Sequence, residues 1–131
     1  MANDMKGHVS LITGSTSGIG MAMARAVAAA GSNVVLNGLG DTAAIETERA
    51  GLASEFGVEV RYHPADMTKP DQIADMVAFA QRELGRLDLL LNNAGVQFVS
   101  PIEDFPLEKW NQIIAINLSS AFHSIRASEA R

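Results

Sequence analysis

The chain has 131 residues, of which 47% are hydrophobic, a length and composition typical of one globular domain. Its formal net charge is -5 and its basic residues are scattered, which argues against a nucleic-acid partner. It contains no cysteine, so disulfides and thiolate metal sites are excluded and a reducing compartment fits. The polar N-terminus and the lack of a long apolar run predict a cytoplasmic protein without a signal peptide or a membrane span.

Short aliphatic runs alternate with longer segments of helical periodicity. The predicted strands are Val9–Thr13, Asn33–Leu36, Val58–Tyr62 and Leu87–Leu91. The predicted helices are Gly18–Ala30, a helix capped by Asp41 that runs through Phe56, a helix capped by Thr68 that ends at Gly85, and a long helix that starts at Pro106. This order predicts an α/β fold in which a parallel sheet carries helices on both faces. No linker or repeat interrupts it, so residues 1–131 are interpreted as one domain.

A glycine-rich turn joins the first strand to the first helix. Gly14 allows a sharp turn, Gly18 allows a phosphate to approach the backbone, and Gly20 allows the helix to pack closely on the strand. The exposed amides and the positive end of the helix dipole then suit a diphosphate. The alternative interpretation is a Gly/Ser loop that only makes a tight turn. The position between a strand and a helix favours dinucleotide binding.

Two further motifs follow this turn, whose spacing is G-x-x-x-G-x-G. Asn92–Gly95 (NNAG) comes after the fourth strand, and Asn117 lies within the last helix. Together the three motifs resemble those of the short-chain dehydrogenases/reductases. The resemblance implies a Rossmann-type doubly wound parallel sheet of strand order 3-2-1-4. It also implies hydride transfer between a nicotinamide cofactor and a secondary alcohol.

Longer segments narrow the resemblance to one branch of the family. Residues 14–23, 37–40, 92–97 and 101–110 are similar to the bacterial-type D-β-hydroxybutyrate dehydrogenases. That branch implies NAD as cofactor, a small hydroxy acid as substrate, oxidised to acetoacetate, and a homo-oligomer, a tetramer, as the assembly. It also implies that Gln97 binds the substrate carboxylate, whereas on its own Gln97 is only a loop residue.

Site residues follow from the matching positions of the family. The implied cofactor-binding residues are Gly14, Thr16, Ser17, Gly18, Ile19, Gly20, Leu39, Asp66, Met67, Asn93, Ala94, Gly95 and Ile116. Among them, Asp66 and Met67, which end the third strand in this interpretation, flank the adenine, although Asp66 alone is also typical of a turn. No metal site is expected, because the spacing of His8, His63 and His123 suits none.

The choice between NAD and NADP depends on the end of the second strand. An acidic residue there favours NAD and a basic residue favours NADP, but Asn37–Gly40 contains neither. Asp41 is near the expected position, and a role as helix N-cap explains it equally well. No basic residue lies between Gly14 and Arg25, so a 2′-phosphate has no partner there and NAD is favoured.

Asn117 shares a helical stripe with Trp110, Ile113, Ile114 and Ala121, and burial is therefore expected for it. A buried amide must satisfy its hydrogen bonds. The family resemblance implies that this Asn bends the helix locally and holds a water that relays protons to a catalytic lysine. A core Asn bonded to a neighbouring strand is the other interpretation, and the two are compatible.

The catalytic Ser, Tyr and Lys of the family have no counterpart in these residues. The single tyrosine, Tyr62, is followed four residues later by Asp66 rather than Lys. The sequence is therefore expected to be the N-terminal half of such an enzyme, truncated before the later strands. It is expected to be inactive alone and to leave Leu87–Leu91 as an open apolar edge. A nucleotide-binding module without chemistry and a non-folding fragment are the alternatives.

Overall fold

The computed structural model describes residues 4–129, which form a four-stranded parallel sheet of order β3-β2-β1-β4. The strands are β1 (Val9–Ile12), β2 (Asn33–Asn37), β3 (Val60–His63) and β4 (Leu89–Leu91). The register pairs Leu11 with Val35 of β2 and with Leu90 of β4. The predicted fold class and strand order are thus confirmed, and β4 lies at an edge of the sheet.

The first three helices begin and end close to the predicted residues. They are α1 (Gly18–Ala29), α2 (Thr42–Phe56) and α3 (Pro70–Leu84). Asp41 caps α2, as predicted, by accepting a hydrogen bond from the Ala43 amide at 3.3 Å. The prediction that Thr68 caps α3 is wrong: Lys69 holds that position, and Thr68 bonds to Asp66 instead.

Two apolar clusters cover the two faces of the sheet. Side chains alternate along a strand, so Leu11 and Val35 face one side while Ile12 and Leu36 face the other. The first cluster packs α3 on the sheet and the second packs α1 and α2. Burial on both faces explains why the strands are nearly continuous apolar runs.

The long final helix contains a widened turn. It consists of α4 (Leu107–Ile114), a π-turn (Ala115–Ser119) and α5 (Ser120–Glu129), with Pro106 at the N-cap. The predicted buried stripe is wrong, because Trp110 is 56% exposed and Asn117 is also exposed. The π-turn breaks the 3.6-residue period between Ile114 and Ala121, whereas Trp110 precedes the turn and is exposed on a face of α4 that the described residues do not cover. The residues of α5 that are buried are instead Ser120 and Ser124.

Among the described helices, none combines the length and apolar content needed to cross a bilayer.

Candidate dinucleotide-binding site

A cleft of about 370 Å³ opens where the chain leaves the carboxyl ends of β1, β2 and β4. This is the end of an open parallel sheet at which α/β proteins bind ligands. Most of the predicted cofactor residues line it, namely Gly14, Thr16, Ser17, Leu39, Asp66, Met67, Asn93, Ala94, Gly95 and Ile116. Gly18, Ile19 and Gly20 lie beside it in the first turn of α1.

Each glycine of the turn has its own steric reason. Gly14 has a φ of +62°, and a Cβ there would lie 3.0 Å from the Ala94 Cα. Gly18 has a φ of +58° and faces open space. A Cβ on Gly20 would strike the Gly14 carbonyl oxygen and lie 2.6 Å from Asn93 Nδ2. The turn therefore requires glycine twice for backbone conformation and once for close packing.

The head of α1 presents unused hydrogen-bond donors. Ser17 is the N-cap, but its side chain makes no capping bond. The amides of Gly18, Ile19 and Gly20 donate to no acceptor within residues 4–129. The first turn of α1 also carries no acidic side chain. A diphosphate fits this position. The free amides can donate hydrogen bonds to it, the helix dipole favours its negative charge, and the open space before Gly18 leaves room for it.

The NNAG segment holds the glycine turn in place. The amides of Asn93 and Ala94 donate to Thr13 Oγ1 at 3.0 and 2.9 Å. In return, Asn93 Nδ2 donates to the carbonyls of Thr13 and Gly14 at 3.2 and 3.0 Å. Asn93 was predicted as a cofactor-binding residue from the NNAG motif alone. In the structure its side chain holds the glycine turn.

Asn37 is a site residue that the sequence interpretation missed. It is only 1% exposed, and its Oδ1 accepts from the Gly14 amide at 3.0 Å. Its Nδ2 donates to the carbonyls of His63 and Ala65, both at 3.1 Å. One side chain thus joins the glycine turn to the loop after β3. The sequence did contain a signal for this role. Asn37 is a polar residue at the end of an apolar strand, and a buried side-chain amide must find hydrogen-bond partners.

Asp66 and Met67 lie in the loop after β3, not at the end of the strand as predicted, because β3 stops at His63. The Thr68 amide and hydroxyl donate to Asp66 Oδ1 at 2.9 and 2.8 Å. These two hydrogen bonds, the amide's above all, lower the pKa of the Asp66 carboxyl below its ordinary value. Asp66 therefore faces the cleft as a carboxylate, which can accept a hydrogen bond from an amine.

Asn117 lies in the π-turn and clamps the segment after NNAG. Its Oδ1 accepts from the Val96 amide and its Nδ2 donates to the Val96 carbonyl, both at 2.8 Å. The amide is thus satisfied by the neighbouring segment, although it is exposed. Gln97 follows this clamp, is exposed, and does not line the cleft.

His63 is structural in this arrangement. Its Nδ1 accepts from the Ala65 amide at 3.1 Å, and its Nε2 lies 2.8 Å from an oxygen of Asp75. In the described part of the chain, no group of three or more His, Asp or Glu side chains is placed to hold a metal ion.

The sequence matches known proteins along most of its length. A family described as short chain dehydrogenase matches residues 8–129. The chain is 59% identical over 121 residues to a D-beta-hydroxybutyrate dehydrogenase of Rhizobium meliloti, covering 90% of this chain and 46% of that protein. It is 52% identical over 122 residues to the enzyme of the same name from Cupriavidus necator, covering 93% and 46%. The chain spans about half the length of these curated relatives.

The fold matches solved structures as well. L-sorbose reductase from Gluconobacter frateurii, complexed with NADPH and L-sorbose, superposes with a TM-score of 0.90 at 30% identity. The match covers 97% of this chain and 48% of that one.

Proposed function

Since the chain belongs to the short-chain dehydrogenase family, as the match over residues 8–129 shows, we propose that residues 1–131 are the dinucleotide-binding domain of an NAD-dependent D-β-hydroxybutyrate dehydrogenase. The observation that carries the proposal is the head of α1, where free amides beside Gly18 meet the cleft. The identity of 59% and 52% to two enzymes of that name supports the substrate.

The cleft suggests how the cofactor is held. The free amides of Gly18, Ile19 and Gly20 would bind the diphosphate, and the Asp66 carboxylate would accept a hydrogen bond from the adenine amino group beside Met67. Leu39 and Asn93, which also line the cleft, would face the adenosine ribose, and Ala94, Gly95 and Ile116 would line the end toward the nicotinamide. When bound, the nicotinamide supplies the hydride acceptor for a secondary alcohol.

The preference for NAD rests on charge. No Lys or Arg is among the described residues that line the cleft, so a 2′-phosphate finds no cationic partner there. The carboxylate of Asp41 is already used to cap α2. The adenosine ribose of NAD carries a 2′-hydroxyl, which needs no cationic partner.

The proton chemistry of the family is not assembled by these residues. The hydroxyl of Tyr62, the single tyrosine, donates to the Gly38 carbonyl, and burial raises its pKa above the ordinary value. A protonated, engaged phenol is a poor general base. We therefore propose that the 131-residue polypeptide binds NAD without turnover, as a nucleotide-binding module.

Two further residues have proposed roles in the whole enzyme. Gln97 donates its amide to the substrate carboxylate, and Asn117 holds a proton-relay water with the hydrogen-bonding capacity that Val96 leaves free. The whole enzyme is proposed to be a homo-oligomer, a tetramer, in the cytoplasm. These 131 residues contain no cysteine, which fits a reducing compartment.

Titration of the polypeptide with NAD by calorimetry tests the proposal. Saturable one-to-one binding is expected, and D-β-hydroxybutyrate plus NAD should yield no NADH above blank. NADH formation would contradict the proposed lack of turnover. Absence of saturable binding, in a sample whose circular dichroism shows the α/β fold, would contradict the cofactor site. A chain without that fold would support the non-folding alternative.

A further inference from the structure

The imidazole of His63, at the end of β3, connects α3 with the loop that follows the strand. Its Nδ1 accepts a hydrogen bond from the Ala65 amide at 3.1 Å, and its Nε2 lies 2.8 Å from an oxygen of Asp75. The ring also packs edge-on against Phe79, with the two centroids 5.2 Å apart. The His63 side chain is 13% exposed and the Asp75 side chain is 66% exposed. The ring therefore links a surface carboxylate of α3 to the backbone of the loop.

This loop contributes residues 65–67 to the cleft. The Ala65 carbonyl accepts from Asn37 Nδ2 at 3.1 Å, and the Asp66 amide donates to Gln72 Oε1 at 2.8 Å. Removal of the imidazole would leave the Ala65 amide without its acceptor, although Ala65 is only 2% exposed. A buried amide without a partner is costly, so the backbone would move to satisfy it. The placement of Asp66 in the cleft thus depends on the ring beside it.

The two hydrogen bonds of the ring define its tautomer. A neutral imidazole has one nitrogen that donates and one that accepts. Since Nδ1 accepts from an amide, Nε2 carries the hydrogen and donates it to Asp75. A second proton would turn Nδ1 into a donor that faces the N–H of Ala65, so this hydrogen bond would be lost. Histidine is the side chain that ordinarily changes charge between about pH 5 and pH 8.

Asp75 is the only ionisable side chain within residues 4–129 that bonds to the ring. The neighbouring strand β2 carries no charged residue, and its Asn37 bonds to the His63 carbonyl rather than to the ring. A change in the bond to Ala65 over this pH range would therefore follow the protonation of His63 itself. Carboxyl groups, lysine and arginine ordinarily keep one charge over the same range. The other charged side chains of the surrounding segments are Arg61 of β3, Asp66 and Lys69 of the loop, and Asp71, Arg82 and Glu83 of α3.

We propose that His63 is a positioning residue of the cofactor site: its neutral Nε2–H form, held by Asp75, fixes the loop after β3, and its protonation releases that loop. The inference rests on the proposed dinucleotide site and adds the side chain that places Asp66 toward the adenine. NAD binding then favours the neutral ring, so the affinity for NAD falls as the pH decreases through the range in which histidine becomes charged.

The state of the ring can be measured without a ligand. Proton–nitrogen NMR correlations at about pH 8 should show the Nε2–H tautomer of His63. The Ala65 amide should lose its protection from hydrogen exchange, relative to its neighbours, as the pH is lowered to about 5.5. In His63→Asn the same amide should keep its protection, because Oδ1 of the new side chain accepts in place of Nδ1 and does not titrate. An Nδ1–H tautomer, or an Ala65 amide in the parent that does not respond to pH, would overturn the proposal.

Calorimetric Kd values for NAD at these two pH values test the consequence for the site. Acidification should raise the Kd of the parent about fivefold, as expected for the loss of one ordinary hydrogen bond. His63→Asn should bind at both pH values nearly as tightly as the parent does at the higher one, whereas His63→Leu should bind weakly at both. His123→Leu, which removes a histidine of α5 that does not line the cleft, is the matched control and should keep the pH dependence of the parent.

The outcomes separate this inference from the proposed function. Equal weakening by His63→Asn and His63→Leu would show that the ring only packs, and a parent Kd that is independent of pH would overturn the positioning role. If His63→Leu does not fold, the sloping profile of the parent and the flat profile of His63→Asn are still both required. A folded parent that binds no NAD at either pH would contradict the dinucleotide site instead, and the Ala65 amide would still decide whether His63 controls the loop.

Discussion

Thr13 and Asn93 are joined in both directions: the Asn93 amide donates to Thr13 Oγ1 at 3.0 Å, and Asn93 Nδ2 donates to the Thr13 carbonyl at 3.2 Å. The two residues lie just after the neighbouring strands β1 and β4 and are 80 positions apart in sequence. The reciprocal pair fixes the glycine turn relative to the NNAG segment. The geometry of the free amides at the head of α1 thus depends on residues that follow the first and the last strand of the chain.

Thr13→Val removes the hydroxyl but keeps the shape of the side chain. The Asn93 and Ala94 amides lose their acceptor inside the protein, so unfolding free energy should fall by about 1–3 kcal/mol. Urea denaturation measures the change. Thr47→Val, at an exposed hydroxyl on α2 that bonds only Ala43, is the matched control and should change stability by less than about 0.5 kcal/mol. Equal effects would contradict the role of the reciprocal pair.

Gly18→Ala separates backbone strain from ligand contact. A left-handed φ of +58° should cost about 1 kcal/mol, and the new methyl group projects into the open space before α1. NAD affinity should fall at least tenfold. Gly57→Ala, with a φ of +66° and equally open surroundings at the end of α2, carries the same strain away from the cleft. It should lose similar stability with unchanged NAD affinity, and a matched loss of affinity would argue against phosphate binding at Gly18.

Gly20→Ala tests close packing rather than φ. Its methyl group would overlap the Gly14 carbonyl and crowd Asn93 Nδ2, which must move, so the expected destabilisation is about 1–3 kcal/mol. Thermal and urea unfolding give the value. Gly51→Ala, in α2 with nothing near its Cβ, should instead stabilise by up to about 1 kcal/mol. A neutral Gly20→Ala would show that α1 can shift away from the turn.

Asp66 makes stability depend on acid pH. Since Thr68 lowers the pKa of this carboxyl in the folded state, its contribution is complete above the unfolded pKa, about 3.9, and is lost as pH falls through the lower folded pKa. Asp66→Asn should therefore flatten the decline of unfolding free energy below about pH 4. Urea melts across that range measure it, with the exposed Asp71→Asn as control. An identical acid profile in Asp66→Asn would contradict the pKa shift.

The sequence was sufficient for the features that local chemistry dictates. The glycine-rich segment between a strand and a helix identified Gly14, Gly18 and Gly20, because that arrangement is typical of a phosphate-binding turn. The alternation of short strands and helices predicted the parallel sheet. Asn37 and the hydroxyl of Thr13 were missed because their partners are far away in sequence. The Thr68 cap failed because Asp66, two residues earlier, takes its amide and hydroxyl.

The π-turn at Ala115–Ser119 sets the rotational phase of everything that follows it. A π-turn takes one residue more than an α-helical turn for about the same rotation, so each residue of α5 faces a direction about 100° away from the one that the regular 3.6-residue period predicts. In this phase Ser124 reaches Asn92 with its hydroxyl, and Ala127 packs against the core under α3. If the turn became a regular α-helix without losing a residue, Ser124 would point about 100° away from Asn92, whereas the loss of one residue in the same change would keep this face of α5 toward Asn92.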